Sequence, residues 1–182
     1  MTVRFVNTLS ITKRTAVFKT PWFELVEKAT GEDVAPHYSI STPDYVSVLA
    51  VTKEGNFPLV RQFRPAVEKT TLELPSGHVD KGETPEQAGR KELLEETGFL
   101  AKELVLLGAL SPDTGRLGNL MWCFFAPGVV RNPEIPFLEE PGVESLVYDK
   151  SLRDLLLSEL EFCSALNRAT IVMAIARGCI EL

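Results

Sequence analysis

The stretch from Thr84 to Gly98 carries in its own residues the signals that start and stop a helix. Thr84 suits the N-cap, and Gln87, three positions on, can reach back as its capping-box partner. Pro85 fits the first helical position, where an amide hydrogen has no partner to lose, and Gly98 supplies the left-handed residue that closes the last turn. A helix over Pro85–Thr97 is therefore predicted with both ends fixed locally.

This helix also carries the chain's most informative charge pattern. At about 100° per residue, Glu92, Glu95 and Glu96 fall within one arc. Leu93 and Leu94 occupy other sectors and can bury against a sheet, which turns the acidic face toward a cleft. Like charges at these spacings oppose each other by roughly a few tenths of a kcal/mol per pair, so helix stability gives no reason for the cluster. A hard divalent cation does give one, because Mg²⁺ takes carboxylates, waters and substrate phosphates as oxygen ligands. A solvated acidic helix face is the other reading of these residues alone.

Composition narrows the field. A chain of 182 residues closes an apolar core without disulfides and reads as one domain with at most a small appendage. With 45% hydrophobic and 24% charged residues it matches ordinary globular proteins. A net charge of −6 argues against a nucleic-acid partner, whose phosphates call for a basic face. Cys123, Cys163 and Cys179 are odd in number, widely spaced and set in apolar stretches, so they read as reduced thiols and not as a disulfide framework or zinc site. The opening MTVRFVNTLS has no sustained apolar region, and no run approaches the roughly 20 apolar residues of a membrane span. These features predict a cytoplasmic protein with no membrane partner.

Before about residue 44 the chain shows short β-type runs, Ala16 to Phe18 and Trp22 to Glu27, broken at Thr20-Pro21 and around Gly31-Glu32-Asp33. A small antiparallel module over 1–44 and a main domain over 45–182 are expected. In the latter, Tyr45 to Thr52 and Phe57 to Gln62 flank the turn Glu54-Gly55-Asn56 and suggest a hairpin of buried strands. Thr71 to Leu74, Leu104 to Leu110, Leu120 to Ala126 and Ser145 to Tyr148 read as further strands, and Gly77 to Gly82 as a loop. Amphipathic helices are predicted near Leu152 to Leu160 and Cys163 to Arg177. Strands interspersed with few helices indicate an α/β sandwich.

From Gly77 the sequence runs Gly, five residues, Glu83, seven residues, then Lys91-Glu92-Leu93-Leu94-Glu95-Glu96-Thr97-Gly98-Phe99. This resembles the Nudix box, with Lys91 standing where that family has Arg. Lysine keeps the positive charge and loses the planar fork that orients carboxylates. Arg90 points about 100° away around the helix. The resemblance implies an α/β/α sandwich with a mixed β-sheet. It makes Glu92 and Glu96 direct Mg²⁺ ligands, Glu95 a ligand or base, the Ser76 carbonyl a further ligand, and Glu83 and Lys91 supports. Two or three Mg²⁺ ions, or Mn²⁺ in their place, are implied as cofactors.

Upstream, Arg61-Gln62-Phe63-Arg64-Pro65 and Leu72-Glu73-Leu74-Pro75-Ser76-Gly77 look like the ADP-ribose and nucleoside diphosphate sugar pyrophosphatase branch of that family. Arg61 and Arg64 can then hold diphosphate oxygens with Glu73 near the metal cluster, or they are surface arginines on a strand end. Pro112 lies a little earlier than the branch's characteristic proline. The Asp113-Thr114-Gly115-Arg116 turn either contacts the distal sugar or phosphate through Arg116 or is a tight connector. Glu140, Glu139 and, third, Glu144 are candidate general bases in an acidic loop after the box, where the resemblance places such a base; an exposed acidic turn is the other reading. The N-terminal module of such relatives makes a homodimer and lends residues to the nucleotide pocket. Of Trp22 and Phe23, adjacent on a strand, one should face outward, and Trp22 is the candidate to stack on a base; packing in the core is the other reading of each. His78 is expected in a loop near the site and His37 at the surface.

The expected activity is Mg²⁺-dependent cleavage of the pyrophosphate bond in a nucleoside diphosphate sugar such as ADP-ribose or GDP-mannose. The products would be a nucleoside monophosphate and a sugar phosphate. The alternatives are hydrolysis of a dinucleotide or nucleoside triphosphate, or a Nudix-fold ligand-binding regulator without turnover. Retention of the mutually repulsive Glu92, Glu95 and Glu96 argues against the last.

Overall fold

A computed structural model describes residues 10–31, 34–132 and 142–182. The chain divides into two compact units, one made of residues up to Pro43 together with Ser111–Asn119, the other of Asp44–Leu110 with Leu120–Leu182.

In the first unit, strands β1 (Lys13–Lys19), β2 (Glu24–Ala29) and β3 (His37–Ser41) form an antiparallel sheet in that order. The Thr20-Pro21 break becomes its first turn: the Thr20 hydroxyl oxygen accepts from the amides of Trp22 at 3.1 Å and Phe23 at 2.9 Å. The segment Ser111–Asn119 closes on β3. The Ile40 amide donates to the Arg116 carbonyl at 2.7 Å, and the Gly118 amide donates to the Ile40 carbonyl at 3.0 Å. His37, exposed, reaches the Gly115 carbonyl through Nε2 at 2.8 Å.

The second unit is built from β4 (Tyr45–Thr52), β5 (Phe57–Arg64), β6 (Lys69–Glu73), β7 (Ser76–His78), α1 (Pro85–Thr97), β8 (Phe99–Leu100), β9 (Val105–Leu110), β10 (Met121–Arg131), β11 (Val143–Tyr148), α2 (Leu152–Leu157) and α3 (Ala165–Ala176). One sheet has the order β7-β4-β10-β8, with β9 also paired to β10, and the other the order β11-β5-β6. Only β4 and β10 among the described strands run parallel, so the first of these sheets is mixed.

Period-2 alternation along β4 sorts its side chains to two cores. Val46, Val48 and Ala50 meet Ala88 and Leu93 of α1 with Phe99, Phe124 and Ala126. Leu49 faces the other way, toward Leu107, Met121 and Ile171 and Ala174 of α3. Helices thus cover both faces of the mixed sheet, and the expected α/β sandwich is what the chain forms. Each fully buried leucine, Leu49 and Leu93 included, contributes about 2 kcal/mol through the apolar area it removes from water.

Helix α1 has the predicted ends. The Gln87 amide donates to the Thr84 hydroxyl at 3.2 Å, the Thr84 amide to Oε1 of Gln87 at 2.8 Å, and Gly98 sits at φ 73°. The expected hairpin of Tyr45–Thr52 and Phe57–Gln62 is not formed. Its turn exists, with the Gly55 amide donating to the Thr52 carbonyl at 3.1 Å, yet the two strands enter different sheets. Both edges of β4 are taken by β7 and β10, and apolar periodicity says that a strand is buried without saying which strand lies beside it. Likewise the start of the expected Gly77 loop is the short strand β7, with Gly77 opposite Val46. The first C-terminal helix stops at Leu157, short of Leu160, which is 88% exposed. No helix among the described residues is long and apolar enough to cross a membrane.

Candidate active site

The site is assembled where the chain leaves β6, crosses at Leu74-Pro75 to β7 and turns into α1. The Ser76 amide donates to Oε2 of Glu96 at 2.8 Å. One residue on, the Glu92 carboxylate lies directly against Gly77, whose missing side chain makes the room: a Cβ there would overlap it. Two carboxylates one turn apart on α1 therefore converge on the Ser76-Gly77 backbone.

Both are short of compensating charge. Burial pushes the Glu92 carboxyl up to about 7; Lys91 opposes the rise, while Glu95, Glu83 and Asp80 add to it. Burial pushes Glu96 up to about 8, against the Ser76 amide and with added repulsion from Glu92. A buried carboxyl that resists ionisation is a place where positive charge is missing.

Among the described residues, no three His, Cys, Asp or Glu side chains form a ready-made metal cage. Mg²⁺ does not require one, since it is held by one or two carboxylates and completes its octahedron with water and substrate phosphates. Glu92 and Glu96 are hard oxygen donors and fit that ion, and the Ser76 residue whose amide meets Glu96 carries a carbonyl oxygen of the same kind.

Beside them, Arg64 grips Glu73 through two parallel bonds, Nε to Oε1 at 2.9 Å and Nη2 to Oε2 at 2.6 Å, and the Thr71 hydroxyl donates to the same carboxylate at 2.6 Å. Burial alone would raise the Glu73 carboxyl. The fork and the hydroxyl overcome it and hold the group below the usual range. Arg64, Glu73, Ser76 and Gly77 line a cleft of about 410 Å³ together with Tyr45, His78, Ser164, Leu166 and Asn167. The cleft wall supplied by the first turn of α3 went unseen in the sequence; Ser164 as a helix N-cap was its only local signal.

The remaining predicted residues are placed as follows. Glu95 is exposed on the same helix. The Glu83 carboxylate accepts from the Asp80 amide at 3.2 Å, and Lys91 pairs with Asp80 at 2.8 Å. Lys91 thus ties the loop before α1 to the helix. Arg61 is not beside Arg64: its Nη1 donates to Glu144 at 3.1 Å and its Nε to Glu161 at 2.9 Å. Arg61 pairs with Leu72 across β5 and β6, one position out of phase with Arg64, so the arginines take opposite faces. Arg116 is 80% exposed at its side chain and pairs with Asp113 at 3.5 Å. Trp22 is 73% exposed and belongs to the first unit, as Arg116 does. Glu139 and Glu140 lie outside the described residues.

The tight seat of Glu92 makes a clean test. In Gly77→Ala the new methyl displaces only the end of a flexible side chain, so the fold should survive with a change in Tm within about 4 °C, roughly 1 kcal/mol. The Glu92 carboxylate must swing away, and any turnover that depends on it should fall about 100-fold, since misplacement by about 1 Å costs that much. Thermal melts beside steady-state rates check it, and unchanged rates would sever Glu92 from the chemistry.

The family model described as NUDIX domain matches residues 42–148. Over 113 residues the chain is 38% identical to the ADP-ribose pyrophosphatase of Bacillus subtilis (strain 168), covering 62% of this chain and 55% of that protein. It is 30% identical over 105 residues to the methanol dehydrogenase activator of Bacillus methanolicus, covering 58% of this chain and 57% of that protein. The chain spans about half the length of the curated relatives it matches. The crystal structure of an ADP compounds hydrolase has the same fold, with a TM-score of 0.76 at 21% identity over 98% of this chain and 100% of that one. Since the matched span holds β4 to β11, α1 and the carboxylate face of Glu92 and Glu96, the chain belongs to the NUDIX domain family.

Proposed function

We propose that the protein hydrolyses the pyrophosphate bond of a nucleoside diphosphate sugar, with ADP-ribose and related ADP-sugars as first candidates and GDP-mannose as a further one. The products are a nucleoside monophosphate and a sugar phosphate. The observation that carries this reading is the convergence of Glu92 and Glu96 on the Ser76-Gly77 backbone at the edge of a cleft. Similarity to an ADP-ribose pyrophosphatase supports the choice of substrate.

When bound, two or three Mg²⁺ ions, or Mn²⁺, supply charge neutralisation on the diphosphate and activation of the attacking water. In this chain Glu92, Glu96 and the Ser76 carbonyl would hold them, with the exposed Glu95 as a further ligand or base. Glu83 and Lys91 brace the loop before α1 through Asp80. Arg64, preset by Glu73, orients the diphosphate, and we favour it over Arg61, which two carboxylates already hold. Glu140, with Glu139 beside it, is our general base. Arg116 and Trp22 are assigned to the distal part of the substrate and to a base.

We assign a homodimer to the first unit, where Val17, Phe18, Trp22 and Tyr38 are exposed and would leave water on pairing. The unpaired cysteines suit a reducing cytoplasm. The test is phosphate release, coupled to a phosphatase, from ADP-ribose, GDP-mannose, dinucleotides and triphosphates with Mg²⁺ or Mn²⁺. Turnover of a diphosphate sugar that stops with chelator is expected. Silence with every diphosphate would overturn the hydrolase reading.

A further inference from the structure

Leu74 and Pro75 form the crossing at which the chain leaves the sheet of β5, β6 and β11 and enters the sheet of β4. Peptide groups at such a crossing have no ladder partner and must be satisfied from elsewhere. Pro75 has no amide hydrogen, and its carbonyl accepts from the Val48 amide at 3.0 Å. The Leu74 amide donates to Oδ1 of Asn167 at 3.1 Å, a side chain in the first turn of α3 and 93 positions away in sequence. Asn167 is only 4% exposed, and its Nδ2 donates to the Ser47 hydroxyl at 3.5 Å. Its own amide is held by the Ser164 cap at 3.3 Å. The crossing is thus fastened at three successive residues, by Asn167, by Val48 and, at Ser76, by Glu96.

We infer that Asn167 is a positioning residue that sets the Ser76 backbone against Glu96 and thereby tunes the affinity of this site for a divalent cation. It lies beyond residues 42–148, so the helix that carries it completes the site from outside the matched domain span. A side chain that holds neighbours of ligating atoms in place acts on metal affinity without touching the metal. The inference rests on the metal-dependent reading of the site.

Mn²⁺ binding followed by electron paramagnetic resonance, without substrate, tests it directly. Asn167→Ala should weaken the Mn²⁺ Kd about 10-fold or more. Ser47→Ala removes the partner of Nδ2 and leaves the Leu74 bond, and it should bind within about two-fold of wild type. Equal Kd values for wild type and Asn167→Ala, or equal weakening in both variants, overturn the inference while leaving the proposed hydrolysis standing. A wild type that binds no Mn²⁺ defeats the metal reading and this inference with it. Should Asn167→Ala not fold, amide exchange in the wild type decides. The Leu74 amide should exchange slowly and more slowly still with Mg²⁺, and an unprotected or Mg²⁺-insensitive amide overturns the proposal.

Discussion

Glu96→Gln is expected to lower kcat for the proposed nucleoside diphosphate sugar substrate about 1,000-fold or more while the metal-free protein unfolds no earlier than wild type. The two halves of this result have one origin. In the proposed metal-binding role, loss of this carboxylate withdraws several kcal/mol of charge stabilisation, and roughly each 1.4 kcal/mol is a factor of ten in rate. In the folded protein, however, the neutral form of Glu96 is the favoured one, its carboxyl being raised to about 8 mainly by burial. Glutamine is a permanent neutral mimic, and its carbonyl oxygen can still accept the Ser76 amide hydrogen bond seen at 2.8 Å. Steady-state rates and melts with chelator measure both halves. Activity within ten-fold of wild type would remove Glu96 from the mechanism.

The second large effect is a metal-free stability that falls as pH rises. Glu92 and Glu96 titrate at about 7 and about 8 when folded, against an ordinary value of 4.5. Between these values the folded chain holds protons that the unfolded chain has released, so the unfolded state binds fewer protons and stability declines with pH. Below pH 4.5 both groups are protonated in either state, so the slope vanishes and their contribution to stability is fully present. Glu73, Asp80 and Asp113 are held low and act in the opposite sense, but only below their ordinary values and outside this window. From pH 5.5 to pH 8.5 the loss should be on the order of 3 kcal/mol after allowance for the partial exposure of Glu92, or roughly 6–12 °C in Tm. Millimolar Mg²⁺ should restore about 2–3 kcal/mol at pH 8.5, because only the ionised carboxylates of the folded state bind it, and much less at pH 5.5. Melts with chelator and with Mg²⁺ at the two pH values supply the comparison. Equal Mg²⁺ effects at both would contradict it, and in Glu96→Gln the slope should flatten.

Legibility from sequence followed the range of the interactions. Helix α1 could be read to the residue because its cap, capping box and terminal glycine are local to it. The face of Glu92 and Glu96 came with it, helical phase being a property of spacing alone. The pairing of β4 with β10 joins residues such as Tyr45 and Met121, and nothing in either strand names the other. The split of Arg61 from Arg64 was latent in strand alternation, since an offset of three places them on opposite faces. What needed the structure was the partner each face offers, Glu73 for one and Glu144 with Glu161 for the other. Asn167 was beyond reach, for a buried asparagine in a helix carries no mark of the distant amide it serves.

The closing of Ser111–Asn119 on β3 bears on how such a chain can be recombined. The first unit is discontinuous in sequence, so it cannot travel as an N-terminal cassette ending at Pro43. A graft of that kind strips Ile40 of the partners it finds at Arg116 and Gly118, and His37 of the Gly115 carbonyl. Exchange between homologues keeps this edge satisfied only when both segments move together. The two stretches are therefore one unit of inheritance, separated by the strands and helix that hold the carboxylates.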